Sequence, residues 1–122
     1  MKNQAYRMAM LFDFYGDVLT DRQKEFYDLY YNEDLSLGEI AENYGITRQG
    51  VRDIIVRAER ALEDIEEKTG LIQRYHRTRA AVATLHQQAA RLDELNQTRF
   101  ADQELEDIAA QLKEAIDQLE RE

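Results

Sequence analysis

"SLGEIAENYGITRQGVRDIIVRA", residues 36–58, carries two short apolar stripes and the turn between them. Ser36 with Glu39 forms a capping box: the hydroxyl accepts from an early backbone N–H, and the carboxylate reaches back to the cap's own N–H. Gly45 falls where the first helix must stop, and glycine takes a positive φ just past a helix without steric cost. Thr47 is placed to cap the next helix. Ile40, Tyr44, Ile46, Val51 and Ile54 fill the apolar places where two crossed helices touch, with Ala41 the small residue at closest approach. The pattern predicts a helix-turn-helix, although two ordinary core helices with a glycine between them would share part of it.

On the second helix, Val51, Ile54, Ile55 and Ala58 fall on the inner side, leaving Arg48, Gln49, Arg52, Asp53, Val56 and Arg57 outward. Arginine can clamp a guanine edge or a phosphate with two hydrogen bonds, and glutamine can do likewise for adenine. Asp53 would repel phosphate, yet a carboxylate can accept from a cytosine amino group. Gly50 brings no side chain. These positions suit nucleic-acid binding, with thinner chemistry than a dedicated operator-reading helix carries.

Working outward, Met8, Leu11, Phe12, Tyr15, Val18 and Leu19 make the apolar stripe of an amphipathic helix that loosens near Gly16. Thr20 with Gln23 opens a second helix over about Asp21 to Tyr31, whose apolar face is Phe26, Leu29 and Tyr30, widened by Tyr27 and Tyr31. The helical spacing of these aromatics assigns them to a core in preference to base stacking. The helix after Thr47 meets no terminator before Gly70, so it runs roughly 33 Å at about 1.5 Å per residue. Leu62 and Ile65 on its later part should pack against the first helix or a partner. Beyond Gly70, Tyr75, Thr78, Val82, Leu85, Ala89 and Leu92 keep a heptad seam. The seam lapses around residues 96–101. Asp102 can cap a last helix with Leu105, Ile108, Leu112, Ile116 and Leu119 on one face. The expected architecture is all-α: a helix-turn-helix domain over residues 1–70, then a helical hairpin over 71–122. Its seams suit a homodimer, because a lone two-helix hairpin leaves part of them wet.

The 122 residues contain no proline and no cysteine, and the formal net charge is −9. Lack of proline permits long helices, and lack of cysteine removes disulfides and thiolate chemistry. No stretch reads as a cationic leader or as a membrane span, so the expected location is the cytoplasm. The acidic balance disfavours indiscriminate polyanion binding but leaves room for local basic faces. Residues 71–91 hold Arg74, Arg77, Arg79 and Arg91 with no acid, whereas residues 92–122 hold 3 basic and 10 acidic groups. The cluster Arg74, His76, Arg77, Arg79 fits either a solvated face whose arginines pair with acids on a neighbouring arm, or an electrostatic clamp on a nucleic-acid backbone. His76 and His86, ten residues apart, do not share a face at metal-binding spacing, so no metal or other cofactor is expected. No carboxylate pair sits in an apolar run that would desolvate it, and no nucleophile has a base beside it. No enzyme is expected.

Residues 19–62, "LTDRQKEFYDLYYNEDLSLGEIAENYGITRQGVRDIIVRAERAL", resemble the fourth conserved region of bacterial sigma factors, which grips a promoter element. In that likeness Arg48 and Arg52 align with arginines, Gln49 with a base-contacting glutamate, and Gly50 and Asp53 replace a typical arginine and a base-contacting glutamine. More closely, "MLFDFYGDVLTDRQ", "LYYNEDLSLGEIAE", "TRQGVRDII" and "LEDIEEK" resemble the YlxM family of small bacterial proteins. That resemblance implies a link to the signal recognition particle pathway, since the family's gene neighbours that of the particle's GTPase. Three readings follow: an accessory or regulator of that pathway contacting its RNA or its GTPase; a transcription regulator binding duplex DNA through residues 48–57; and an interaction scaffold that keeps the helix-turn-helix only as a frame.

Overall fold

The computed structural model describes residues 4–121. Among them the chain is helical: α1 Ala5–Tyr15, α2 Asp21–Tyr31, α3 Leu37–Tyr44, α4 Arg48–Thr69, α5 Leu71–Leu95 and α6 Gln103–Arg121. A 3₁₀ turn, Gly16–Val18, follows α1, and a π turn, Asn96–Phe100, separates α5 from α6. The chain divides into two compact units, residues 1–72 and 73–122. No helix among the described residues is long and apolar enough to cross a membrane.

Both expected capping boxes form. Thr20 Oγ1 accepts from the Gln23 N–H at 3.2 Å while the Thr20 N–H donates to Gln23 Oε1 at 3.0 Å. Ser36 and Glu39 repeat the exchange, each bond 3.1 Å. Gly45 ends α3 at φ 66°, and Gly70 ends α4 at φ 61°. Local chemistry thus sets the boundaries of α2, α3 and α4.

The first unit's core is two clusters strung along α4. Phe26, Tyr30, Ile40, Ala41, Val51 and Ile55 lock α2 and α3 onto its first half. Met8, Leu11, Tyr15, Leu19, Tyr27, Ala58, Leu62 and Ile72 lock α1 onto its second half, with Ile65 packed at the margin. The expected contact of Leu62 and Ile65 with the first helix is therefore present. Val18 departs from the expected stripe: it is 62% exposed, whereas Leu19 is buried. The chain tightens at Gly16 to about three residues per turn, which rotates Val18 outward and returns Leu19 to the core.

Two tyrosines tie this core together. Tyr27, fully buried, donates to the Met8 carbonyl at 2.5 Å and stacks on Phe12 with centroids 5.2 Å apart. Tyr15 donates to Glu66 Oε1 at 2.6 Å, and the same oxygen accepts the Ile72 N–H at 3.0 Å. That carboxylate holds the start of α5 against the end of α4 across Gly70.

The second unit is an antiparallel hairpin. His86 contacts Glu120 and Asp93 contacts Lys113; the pairs step seven residues in opposite directions, which fixes the register. Val82, Ala89 and Ile116 form its small core, and Ala109 is buried as well. At the turn Asn96 is buried: its Nδ2 donates to the Asp102 carbonyl at 3.0 Å, and the Asp102 N–H donates to Asn96 Oδ1 at 2.9 Å. Asp102 also caps α6, accepting from the Leu105 N–H at 3.1 Å. Of the other seam residues, Tyr75, Thr78, Leu85, Ile108, Leu112 and Leu119 stay exposed, and Leu92 and Leu105 are half-buried.

Leu62→Ala should cost about 2–5 kcal/mol in urea unfolding, since Leu62 is wholly buried between α1 and α4. A pH series should expose the tyrosines. Burial holds the Tyr27 phenol well above the usual tyrosine range, and burial followed by donation to Glu59 does the same for Tyr31. Unfolded tyrosine ionises near pH 10. A group whose folded value is raised lends stability that is complete below the unfolded value and lost as pH climbs toward the folded one. The urea midpoint should accordingly hold steady from about pH 7 to 9 and fall above about pH 10. The fall should be shallower in Tyr27→Phe.

Candidate nucleic-acid interface

The candidate interface is built from the first turns of α4. Thr47 Oγ1 accepts the Gly50 N–H at 2.9 Å and closes the helix start, whose first turn carries no acid. Because Val51, Ile55 and Ala58 are wholly buried, the helix has one permitted rotation. That rotation leaves Arg48, Gln49, Arg52, Asp53 and Arg57 exposed, as expected from the sequence.

The structure divides this set. Arg48, Gln49 and Arg52 come together with Tyr30 and Leu37 as the lining of an open cleft of about 720 Å³. Two guanidiniums one turn apart, beside a buried-edge tyrosine and a leucine, can hold phosphate oxygens while an apolar wall accepts a sugar or base face. Arg57 is not part of that lining; five residues past Arg52, it sits about 140° round the helix, at 100° per residue. Gln49 donates to Asp53 Oδ1 at 3.0 Å, so the two present a joined polar pair on the exposed face. Sequence reasoning placed Tyr30 only on the apolar face of α2 and did not single out Leu37. The only signal would have been that Leu37 follows the cap Ser36, at the end of α3 facing α4.

The second basic group lies on α5 in the other unit. Arg74, Arg77 and Arg79 are exposed, and among the described residues none of them makes an ion pair. Arg79 instead lies over the Tyr75 ring, 5.6 Å from its centroid, and Tyr75 meets His76 edge-on at 5.6 Å. Arg74 and Arg77 share a side, three residues apart, whereas Arg79 is turned away from them. The expected pairing of Arg77 and Arg79 with acids of a neighbouring arm is not formed. His76 and His86 do not converge: His76 is exposed beside Tyr75, and His86 touches Glu120. Of the aromatics between Phe12 and Tyr44, Phe26 and Tyr27 are wholly buried and Tyr15 and Tyr30 are buried, whereas Phe14 is 38% exposed and stays outside the core.

Residues 2–108 match the family model described as "Putative helix-turn-helix protein, YlxM / p13 like". The UPF0122 protein of Listeria welshimeri is 39% identical over 113 residues, covering 93% of this chain and 97% of that relative. The UPF0122 protein of Desulforamulus reducens is 53% identical over 70 residues, covering 57% of this chain and 60% of that protein. That of Thermoanaerobacter sp. strain X514 is 54% identical over 68 residues, covering 56% and 58% respectively. The chain thus aligns with about three fifths of the length of these last two relatives.

Since Arg48 and Arg52 are exposed, the double variant Arg48→Ala with Arg52→Ala should keep its far-ultraviolet circular dichroism. Its unfolding free energy should move by no more than about 0.5 kcal/mol per site. A larger loss would mean that the pair holds the fold together, and that the cleft is structural.

Proposed function

The chain belongs to the YlxM/p13-like family of helix-turn-helix proteins, and from that membership and the geometry of α4 we propose that it is a regulatory nucleic-acid-binding protein without enzymatic activity. On this reading it is a cytoplasmic accessory component of the signal recognition particle pathway, with the particle's RNA as ligand and its GTPase as protein partner. One observation carries the binding: Arg48 and Arg52 line an open cleft on a helix whose opposite side is fully used by the core. The binding surface consists of Arg48, Gln49, Arg52, Asp53 and Arg57, with Arg74, Arg77 and Arg79 as a second contact. Gly50 and Asp53 leave few base-reading groups, which favours recognition of backbone and shape over an operator sequence. The outward arc of α4 also supports the second reading, a transcription regulator on duplex DNA.

The second copy of this chain is the other partner we propose, with the hairpin as the interface. Leu85 on α5 and Ile108, Leu112 and Leu119 on α6 are large apolar side chains left between 44% and 49% exposed. Charge says what covers them. α5 bears Arg74, Arg77, Arg79 and Arg91 against Asp93 and Glu94; away from His86, α6 bears Glu104, Glu106, Asp107 and Glu114 against Lys113. A two-fold partner lays basic α5 on acidic α6 twice over, giving a four-helix bundle with buried seams.

Fluorescence anisotropy should rank the ligands. Wild-type protein should bind the particle's RNA more tightly than a random duplex DNA of equal length at physiological salt. Arg48→Ala with Arg52→Ala should weaken RNA binding and lower the slope of log affinity against log salt by about 2, one per lost phosphate contact. The Arg74, Arg77, Arg79 triple alanine variant should lower it as well. Equal affinity for random duplex DNA would turn the reading toward a transcription regulator, and no binding to either would leave the scaffold. For the dimer, sedimentation equilibrium should give twice the 14.4 kDa chain mass, and Leu112→Asp should halve it.

A further inference from the structure

We infer that the hairpin carries a divalent-metal site of the zinc type, built by His86 of α5 with Asp117 and Glu120 of α6. Spacing on α6 supplies the first part: residues three apart project from one side of a helix, so Asp117 and Glu120 present their carboxylates together. The antiparallel register supplies the second part by setting His86 opposite them, with its Nε2 against Glu120. One ligand atom from each of the three residues lies within 4.8 Å of the other two. Tetrahedral zinc with bonds of about 2.0–2.2 Å sets its ligand atoms roughly 3.3–3.6 Å apart, so closing the site draws the three side chains together by about 1 Å.

The neighbouring rung of the hairpin makes the contrast. One heptad away, Asp93 meets Lys113, and a single carboxylate has its own built-in cation. At His86 two carboxylates converge on one imidazole, and no ion pair among the described residues brings a lysine or arginine to them. A bound dication satisfies both carboxylates at once. The donor set selects the ion: an imidazole nitrogen with two carboxylate oxygens suits Zn²⁺, whereas Mg²⁺ gains little from imidazole. The exposed rim leaves the remaining coordination positions to water. Because the ligands come from both arms, the ion staples α5 to α6, and its binding energy adds to the stability of the hairpin.

The site escapes a linear reading, because the partners of His86 lie 31 and 34 residues downstream, on the other arm. It does not depend on what α4 binds.

Isothermal titration of the full chain, free of any histidine tag and stripped with a chelator, tests it with ZnCl₂ and MgCl₂ as the probes. One Zn²⁺ per chain should bind saturably, Mg²⁺ should not, and Zn²⁺ should raise the thermal unfolding midpoint. His86→Ala and Asp117→Asn should each weaken Zn²⁺ binding by at least about tenfold and abolish that rise; His76→Ala should do neither. Asp117→Asn keeps the volume of an exposed side chain, so it reports on the ligand even if His86→Ala loosens the hairpin. Lack of saturable Zn²⁺ binding overturns the site. So does binding that survives both His86→Ala and Asp117→Asn, equal binding of Mg²⁺, or an equal loss in His76→Ala.

Discussion

With Gly45 at φ 66°, the chain passes from α3 into α4 through only three residues, and the Ile46 N–H still reaches the Ala41 carbonyl at 3.2 Å. A residue with a Cβ in that conformation costs about 1–2 kcal/mol. The sharpness of the turn brings Ala41 and Ile40 directly against Val51 and Ile55, where a larger residue than alanine would push the helices apart. It also delivers Thr47 to the start of α4 as the cap. Once that crossing is fixed, the rotation of α4 is fixed, and so is the set of side chains that remain outside.

α4 then serves two purposes along 22 residues. Its inner stripe gives every other helix of the first unit something to pack against, first α2 and α3, then α1. Its outer arc carries the arginines. The same rotation that buries Val51, Ile55, Ala58 and Leu62 leaves Arg48 and Arg52 exposed, so packing and the proposed binding draw on different faces of one element. This resolves the apparent conflict with a net charge of −9. The acids are spread over the helices, α4 beyond Arg52 included, and concentrated on α6, while Arg48 and Arg52 line the cleft and residues 71–91 carry no acid. Attraction to a polyanion depends on that local field, which falls off over about 10 Å at ordinary salt, more than on the total.

Features decided within a few residues were legible in the sequence. Thr20–Gln23, Ser36–Glu39, Gly45, Thr47, Gly70 and Asp102 are all local signals, and each marks a helix end where it was expected. The apolar periodicity separated the inner from the outer face of α4 for the same reason. What was not legible depends on docking between segments distant in sequence. Val18 followed the helical period of α1 until the 3₁₀ turn changed that period. The cleft needed the docking of α2 and α3 to bring Tyr30 and Leu37 beside Arg48 and Arg52. Arg57 looked like part of the same row until the turn angle set it apart. His86 meeting Glu120 required the register of the hairpin, which the seam alone leaves open by whole heptads.

The central claim is that the start of α4 is a nucleic-acid surface and the rest of its unit a frame. Amide chemical-shift mapping of ¹⁵N-labelled protein titrated with the particle's RNA tests this most directly. The account predicts that the largest shifts in the first unit cluster at residues 47–53 and at Tyr30 and Leu37, whereas the exposed side of α1 is silent. Saturating RNA that leaves residues 47–53 unmoved, or that moves α1 most, would contradict it.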